Sequence, residues 1–195
     1  MCSWCWAFRP TLDRLFAKLP SSTTTSNLLG GLAPDTNKPM DIQMRLNLQA
    51  TWRNIQTKVP ETQFNYNFWA ENTPRRSTYP ACRAVIAARK INKINEDKMI
   101  FAIQQAYYLR ALNPSDNNTL IRLATEINID KSLFESYFYS DTIASRLLEE
   151  IQQSRSMGAS SFPSLIMEVN SEYRPIAIDY HSESSIIHSI KSITN

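Results

Sequence analysis

Met1-Cys2-Ser3-Trp4-Cys5-Trp6-Ala7-Phe8-Arg9-Pro10 opens the chain and sets two cysteines, two residues apart, at the head of an apolar helical pattern. Phe8, Leu12, Leu15, Phe16 and Leu19 recur at steps of four, three, one and three, which is one face of a helix. Pro10 lies inside that pattern and removes one backbone hydrogen bond, so a kink is expected over residues 6–10. A helix N-terminus leaves unpaired N–H groups and a partial positive charge, which favour thiolate over thiol. Cys2 fits that position, so its pKa should fall below about 8.5, into the range of roughly 3.5 to 7.5 found for cysteines in such settings. Cys5 lies about one helical turn on, where its sulfur can close a disulfide or resolve a mixed one. Ser3 and Trp4 tune the thiolate, and Trp4 and Trp6 add apolar surface on which an extended peptide can dock. The same spacing is half of many zinc sites, so metal binding stays an open alternative at this point.

Beyond this stretch the 195 residues suit one core carrying a large insertion, and 43% hydrophobic with 20% charged residues is the composition of a folded chain. The net charge of +3 is too small for nucleic-acid binding to be read from charge. Three glycines cannot supply G-x-G-x-x-G or the phosphate-cradling G-x-x-x-x-G-K-[ST], and two histidines seven apart, His181 and His188, exclude H-E-x-x-H zinc sites. No apolar run approaches the roughly 18 residues of a membrane span. The start has no basic segment followed by an apolar one, so it does not read as a secretory signal. Three cysteines do not make a disulfide framework, and C-x-x-C without a signal reads first as redox or metal chemistry.

After a polar stretch at 21–26, Asn27-Leu28-Leu29-Gly30-Gly31-Leu32-Ala33-Pro34 predicts a short strand ending in a turn. From Pro39 to Met157 the pattern is helical. Met44, Leu48, Trp52, Ile55 and Val59 mark one helix, followed by a loop rich in Asn, Thr and Pro. Thr78 is the expected N-cap of a helix through Cys82, Val85 and Ile86, and Asp130 that of a later one; Gly158 ends the last helix of the block. Ser164 to Val169 and Pro175 to Tyr180 then predict a hairpin with its turn near Ser171 to Arg174, and Ser182 caps a final helix faced by Ile186, Ile187, Ile190 and Ile193. Away from the dithiol, Cys82 reads as a buried small apolar residue, the two histidines as surface or local hydrogen-bonding groups, and Arg75-Arg76 as a solvated face.

Met1 to Pro10, Gly30-Gly31-Leu32-Ala33-Pro34-Asp35, Cys82-Arg83-Ala84-Val85 and Ser161-Phe162-Pro163-Ser164-Leu165 together resemble the DsbA-like branch of the thioredoxin superfamily, specifically its unexported bacterial members described as predicted disulfide isomerases or FrnE-like proteins. The resemblance covers the whole chain. It implies an α/β protein: a thioredoxin fold formed by 1–38 and 158–195, with an inserted all-helical domain at 39–157. It also implies that Pro10 is the kink proline of the active-site helix and that Pro163 is cis, faces the dithiol and keeps metal off the sulfurs. The backbone of Phe162 would pair with a bound peptide as an added strand. The expected activity is thiol–disulfide exchange, with Cys2 and Cys5 catalytic and Trp4, Phe162 and Pro163 shaping the substrate groove; no cofactor and no metal are required. Expected partners are protein or peptide thiols and disulfides, and glutathione. Nucleic acid and membrane are not expected partners, and the chain is expected to act as a monomer in the cytoplasm. A glutathione-dependent isomerase or transferase of the same fold, and a non-catalytic binding or zinc module, are the alternatives. Family members reach C-x-x-C from a central β-strand, and this chain begins one residue before Cys2. That first strand is expected to be missing here, with Met1 an internal methionine of a longer natural protein.

Overall fold

The computed structural model describes residues 1–194. The periodic apolar segments form helices α1 (Ser3–Lys18), α2 (Ile42–Lys58), α3 (Phe68–Glu71), α4 (Tyr79–Ile91), α5 (Asn95–Tyr108), α6 (Asn117–Glu126), α7 (Lys131–Phe138) and α8 (Asp141–Ser156). A hairpin of β1 (Leu165–Val169) and β2 (Glu172–Ile176) follows, then α9 (Glu183–Thr194). Among the described residues the helices thus accompany a single two-stranded antiparallel hairpin.

Capping chemistry sets several of the boundaries. Asp41, Asp130 and Ser140 each accept a backbone N–H in the first turn of the helix they precede, and Ser182 Oγ accepts from the Ser185 N–H at the head of α9. Gly158, at φ +91°, follows α8 in the left-handed conformation that ends helices. Helix α1 runs through Pro10 rather than ending there.

The long helices pack into a few connected cores. Helix α4, rich in alanine, is buried on most sides: Ala84, Ala87 and Ala88 are fully enclosed with Met99, Ala106, Leu120, Leu123, Phe134 and Phe138 from α5, α6 and α7. A second core is aromatic, with Trp52 at its centre in contact with Phe64, Phe68, Trp69 and Tyr108. The third joins α1 to the C-terminal elements: Phe8 and Leu15 meet Ile186 of α9 beside Leu165, Ile176 and Ile178. Each such fully buried side chain contributes roughly 1.5–3 kcal/mol.

Helix α1 is the bridge between these cores. Phe8 and Leu15 face the hairpin and α9, Ala7 packs on Ile55 of α2 and on Val59, the residue that ends it, and the Trp6 ring stacks on Tyr108 at 5.7 Å. At its head, buried Ser3 accepts a hydrogen bond of 2.9 Å from the Trp52 indole N–H. The residue after Cys2 is thus tied directly to the aromatic core.

Three expectations need correction. The Leu28 segment is no strand: among the described residues the sheet holds only β1 and β2. An extended segment becomes a strand only beside a ladder partner. Here its backbone is satisfied by side chains instead, with the Leu29 N–H on Glu150 and the Ala33 N–H on Thr78. That second contact is why Thr78 makes no cap hydrogen bond, since its hydroxyl is engaged with both the N–H and the carbonyl of Ala33. The hairpin turn is tighter than expected. Asn170 and Ser171 both adopt positive φ, at 52° and 65°, so the two-residue turn starts β2 at Glu172, three residues before Pro175. In addition, the loop after α2 contains the short helix α3.

The segment between α1 and α2 is clamped by a buried charge cluster. Glu150, fully enclosed on α8, accepts from the Leu29 N–H at 3.1 Å and pairs with Arg89 of α4 and with Arg146. Arg89 also pairs with Glu96 at 2.8 Å. Gly30 and Gly31 are thereby held against the helices on which the site is built.

Candidate active site

Cys2 is the N-cap of α1, in extended conformation (φ −106°, ψ 116°). Its sulfur accepts the Cys5 backbone N–H at 3.3 Å, and its thiol donates to the Phe162 carbonyl at 3.2 Å. The second contact joins residues 160 apart in sequence. All three cysteines are free thiols.

The environments of the two nearby thiols push them in opposite directions. Hydrogen bonding from the Cys5 thiol is the main influence on Cys2, aided by the backbone N–H of Cys5, the charge of the Met1 ammonium and the backbone N–H of Trp4. Together they outweigh burial and lower its pKa to about 7. Cys5 is driven well above the ordinary thiol range, first because its proton is the one shared with Cys2 and then by burial. The pair thus sets a cysteine inclined to the thiolate beside one that keeps its proton, an arrangement able to support dithiol exchange. Cys82 is different. It packs with Ile86, Ile143, Leu147 and Ile151, and burial pushes its thiol up.

Phe162 and Pro163 stand beside Cys2 through the Phe162 carbonyl, and the peptide bond between them is cis. The position of Phe162 depends on Gly30. A Cβ on that glycine would come within 1.9 Å of the Phe162 ring, so only the missing side chain lets the ring lie where it does. Gly31 has φ +53°, and a Cβ there would meet Ile151 at 2.1 Å. Trp4 is half-buried; its ring lies 5.1 Å from that of Tyr180, with the Lys58 ammonium 5.8 Å from its centre.

Two residues of this neighbourhood are not legible as site residues in the sequence. Tyr180 walls Trp4 and packs edge-on against Phe8, and its backbone carbonyl accepts from Thr11 at 2.6 Å. Burial and the negative potential of Cys2 and Cys5 raise its hydroxyl to about 12. No spacing marks it, because it reaches the dithiol only through the hairpin. Gly30 had a signal in the rarity of glycine, but the doublet read as a turn and not as a seat for an aromatic ring. His181 and His188 are exposed, and the His181 backbone N–H donates to Asp179. Arg75 is paired with Asp116 and donates to the Ser115 carbonyl at 2.8 Å, whereas Arg76 is exposed.

Among the described residues no group of three or more His, Cys, Asp or Glu side chains is placed to hold a metal ion. Among the same residues no helix is long and apolar enough to cross a membrane.

The profile of the family described as thioredoxin matches residues 1–187. The crystal structure of a candidate protein disulfide isomerase from Nitrosomonas europaea is similar over 100% of this chain and 93% of that one, with a TM-score of 0.85 and 25% identity. The cytosolic disulfide reductase DsbM from Pseudomonas aeruginosa is similar over 100% of this chain and 93% of its own, with a TM-score of 0.77 and 16% identity. Its structure with glutathione gives 0.76 and 15% over 100% of this chain and 96% of that one. A comparison with curated proteins gives no match.

Proposed function

Because this chain belongs to the thioredoxin family, and its disulfide-oxidoreductase fold carries a lowered cysteine at a helix N-terminus, we propose that it exchanges disulfides with protein or peptide substrates through Cys2 and Cys5. The observation that carries the reading is the opposed pair, with Cys2 brought down to about 7 while Cys5 is held up beside it.

In the reducing direction, the Cys2 thiolate attacks one sulfur of a substrate disulfide. The substrate S–S bond breaks, a mixed disulfide forms on Cys2, and the other substrate sulfur leaves as a thiolate that takes a proton from solvent. Cys2 now carries no charge, so the influence that kept the proton on Cys5 is gone. Cys5 loses its proton, attacks Cys2 Sγ, closes the Cys2–Cys5 disulfide and expels the second substrate thiolate. The substrate gains two electrons and the dithiol loses two. The reverse sequence oxidises a substrate dithiol.

Phe162 and Pro163 form one wall beside the attacking sulfur, and Trp4, backed by Tyr180, offers an apolar surface for the peptide. Residues 1–38 with 158–195 act as the thioredoxin-like unit in this scheme and 39–157 as the inserted helical unit. Glutathione is a second small-thiol partner consistent with the fold, since a structure of the similar DsbM contains it. The cytoplasm, where such a dithiol stays mostly reduced, is the compartment that suits the activity.

The test is Cys2→Ser. That variant is expected to lose disulfide exchange with a model peptide while its circular dichroism is unchanged and its melting temperature stays within about 2 °C of the parent, because the serine hydroxyl can replace the sulfur as the cap that accepts the Cys5 N–H. Retained exchange in Cys2→Ser removes Cys2 from the mechanism.

A further inference from the structure

A cavity of about 130 Å³ opens beside the head of α1. Ser3, the residue after Cys2, forms part of its wall, and Met1, Leu32, Met40, Met44 and Phe68 supply most of its apolar lining. Three of the six methionines of the chain meet there. Methionine is unbranched and polarisable, so a methionine-lined surface adapts to apolar side chains of different shape. An apolar cavity of about 150 Å³ holds a benzene molecule, so this one suits a side chain of the size of Leu, Met or Phe.

The rim carries an unused charge. Arg75 and Arg76 both border the cavity, but Arg75 is committed to Asp116 and the Ser115 carbonyl. Arg76 is exposed; its guanidinium makes a 3.7 Å contact with the Met44 sulfur, and no carboxylate pairs with it among the described residues. Leu32, 46% exposed, marks the open side of the cavity.

We infer that this cavity is a selectivity pocket for peptide disulfides: it takes a medium-sized apolar side chain close to the substrate cysteine, and Arg76 pairs with an acidic group of the same peptide. The inference rests on the dithiol reading above and adds the class of substrate. Glutathione has carboxylates but no apolar side chain, so it leaves the pocket unfilled. An apolar and acidic peptide uses both features, the pocket for affinity and the arginine for orientation and encounter rate.

The test is single-turnover reduction by the fully reduced protein, comparing second-order rate constants within matched pairs of peptide disulfides. One pair differs as Leu against Ala beside the cysteine and the other as Glu against Gln two residues away. Bis(2-hydroxyethyl) disulfide, uncharged and small, reports the dithiol alone. The Leu peptide is expected to react at least tenfold faster than the Ala peptide, the scale on which apolar pockets discriminate. The Glu peptide should react about fivefold faster than the Gln peptide at low salt, an advantage that disappears in Arg76→Gln and at high salt. Filling the pocket with Met44→Trp should bring the Leu-to-Ala ratio close to one. Because each ratio is taken within one protein, reduced stability of Met44→Trp does not affect the reading, and exposed Arg76→Gln gives an independent arm. Ratios near one in the parent, with the small disulfide reduced normally, overturn the pocket. Failure to reduce the small disulfide overturns the dithiol reading itself.

Discussion

Replacing Gly30 with alanine puts a methyl group where the Phe162 ring lies. The added Cβ would sit 1.9 Å from the ring, and ordinary contact begins at 3.4 Å, so the ring must retreat by about 1.5 Å. Phe162 cannot move freely, because its carbonyl receives the Cys2 thiol at 3.2 Å. Overpacking of this kind costs roughly 1–3 kcal/mol, which for a chain of this size lowers the melting temperature by about 2–4 °C per kcal/mol. Gly30 is not in the left-handed region, so alanine is compatible with its backbone and the loss comes from the ring alone. The assay is a double-mutant cycle by denaturant unfolding of Gly30→Ala, Phe162→Ala and the pair. Gly30→Ala should be costly in the parent and neutral, or stabilising by about 0.4–1 kcal/mol, once Phe162 is truncated. Its alkylation profile should also shift, because the Phe162 carbonyl is displaced from Cys2. Additive effects, with coupling under about 0.5 kcal/mol, would refute the reasoning.

Two further substitutions probe how the site is held. Glu150→Ala leaves the Leu29 N–H and part of the Arg89 and Arg146 charge without their partner, and should cost about 3 kcal/mol in urea unfolding. Exposed Glu149→Ala serves as the comparison, and should change stability by less than about 0.5 kcal/mol. Ser3→Ala, which raises helix propensity, should nonetheless destabilise by about 1–2 kcal/mol because the enclosed Trp52 N–H loses its acceptor. A neutral or stabilising Ser3→Ala in the same unfolding assay would show that this bond does not tie the dithiol to the aromatic core.

The parts of the fold that could be read in advance are those fixed by local periodicity. The apolar steps of α1, α2 and α8 and the cap residues Asp130 and Ser182 each depend on neighbours within one or two turns, and these positions agree with the structure except Phe16, which lies beside buried Leu15 at the edge of the α1 face and is 41% exposed. The Leu28 segment shows the opposite case. Its apolar run has strand character, but strand formation depends on a partner that local sequence does not encode, and Glu150, 121 residues away, takes its Leu29 N–H instead. Thr78 fails as a cap for the same reason, since a distant backbone at Ala33 competes for its hydroxyl. At the site, the C-x-x-C spacing puts Cys2 at the head of α1 with Cys5 one turn on, and the family resemblance points to Phe162 and Pro163, the first of which receives the Cys2 thiol on its carbonyl. Gly30 and Tyr180 arrive through tertiary packing, so no pattern within either segment marks them.

The most direct measurement is the pH dependence of alkylation of the fully reduced protein, with the modified cysteine identified by peptide mapping. The thiolate is the reactive form, so the rate rises as pH climbs through the pKa of the attacking group. The account predicts that Cys2 reacts first, with a midpoint near pH 7. About half of it would then be thiolate at neutral pH, against roughly 3% for an ordinary thiol. Cys5 should lag until well above the ordinary thiol range, and burial should also hold Cys82 above it. A midpoint for Cys2 at or above about 8.5, or first modification at Cys5 or Cys82, would contradict the account.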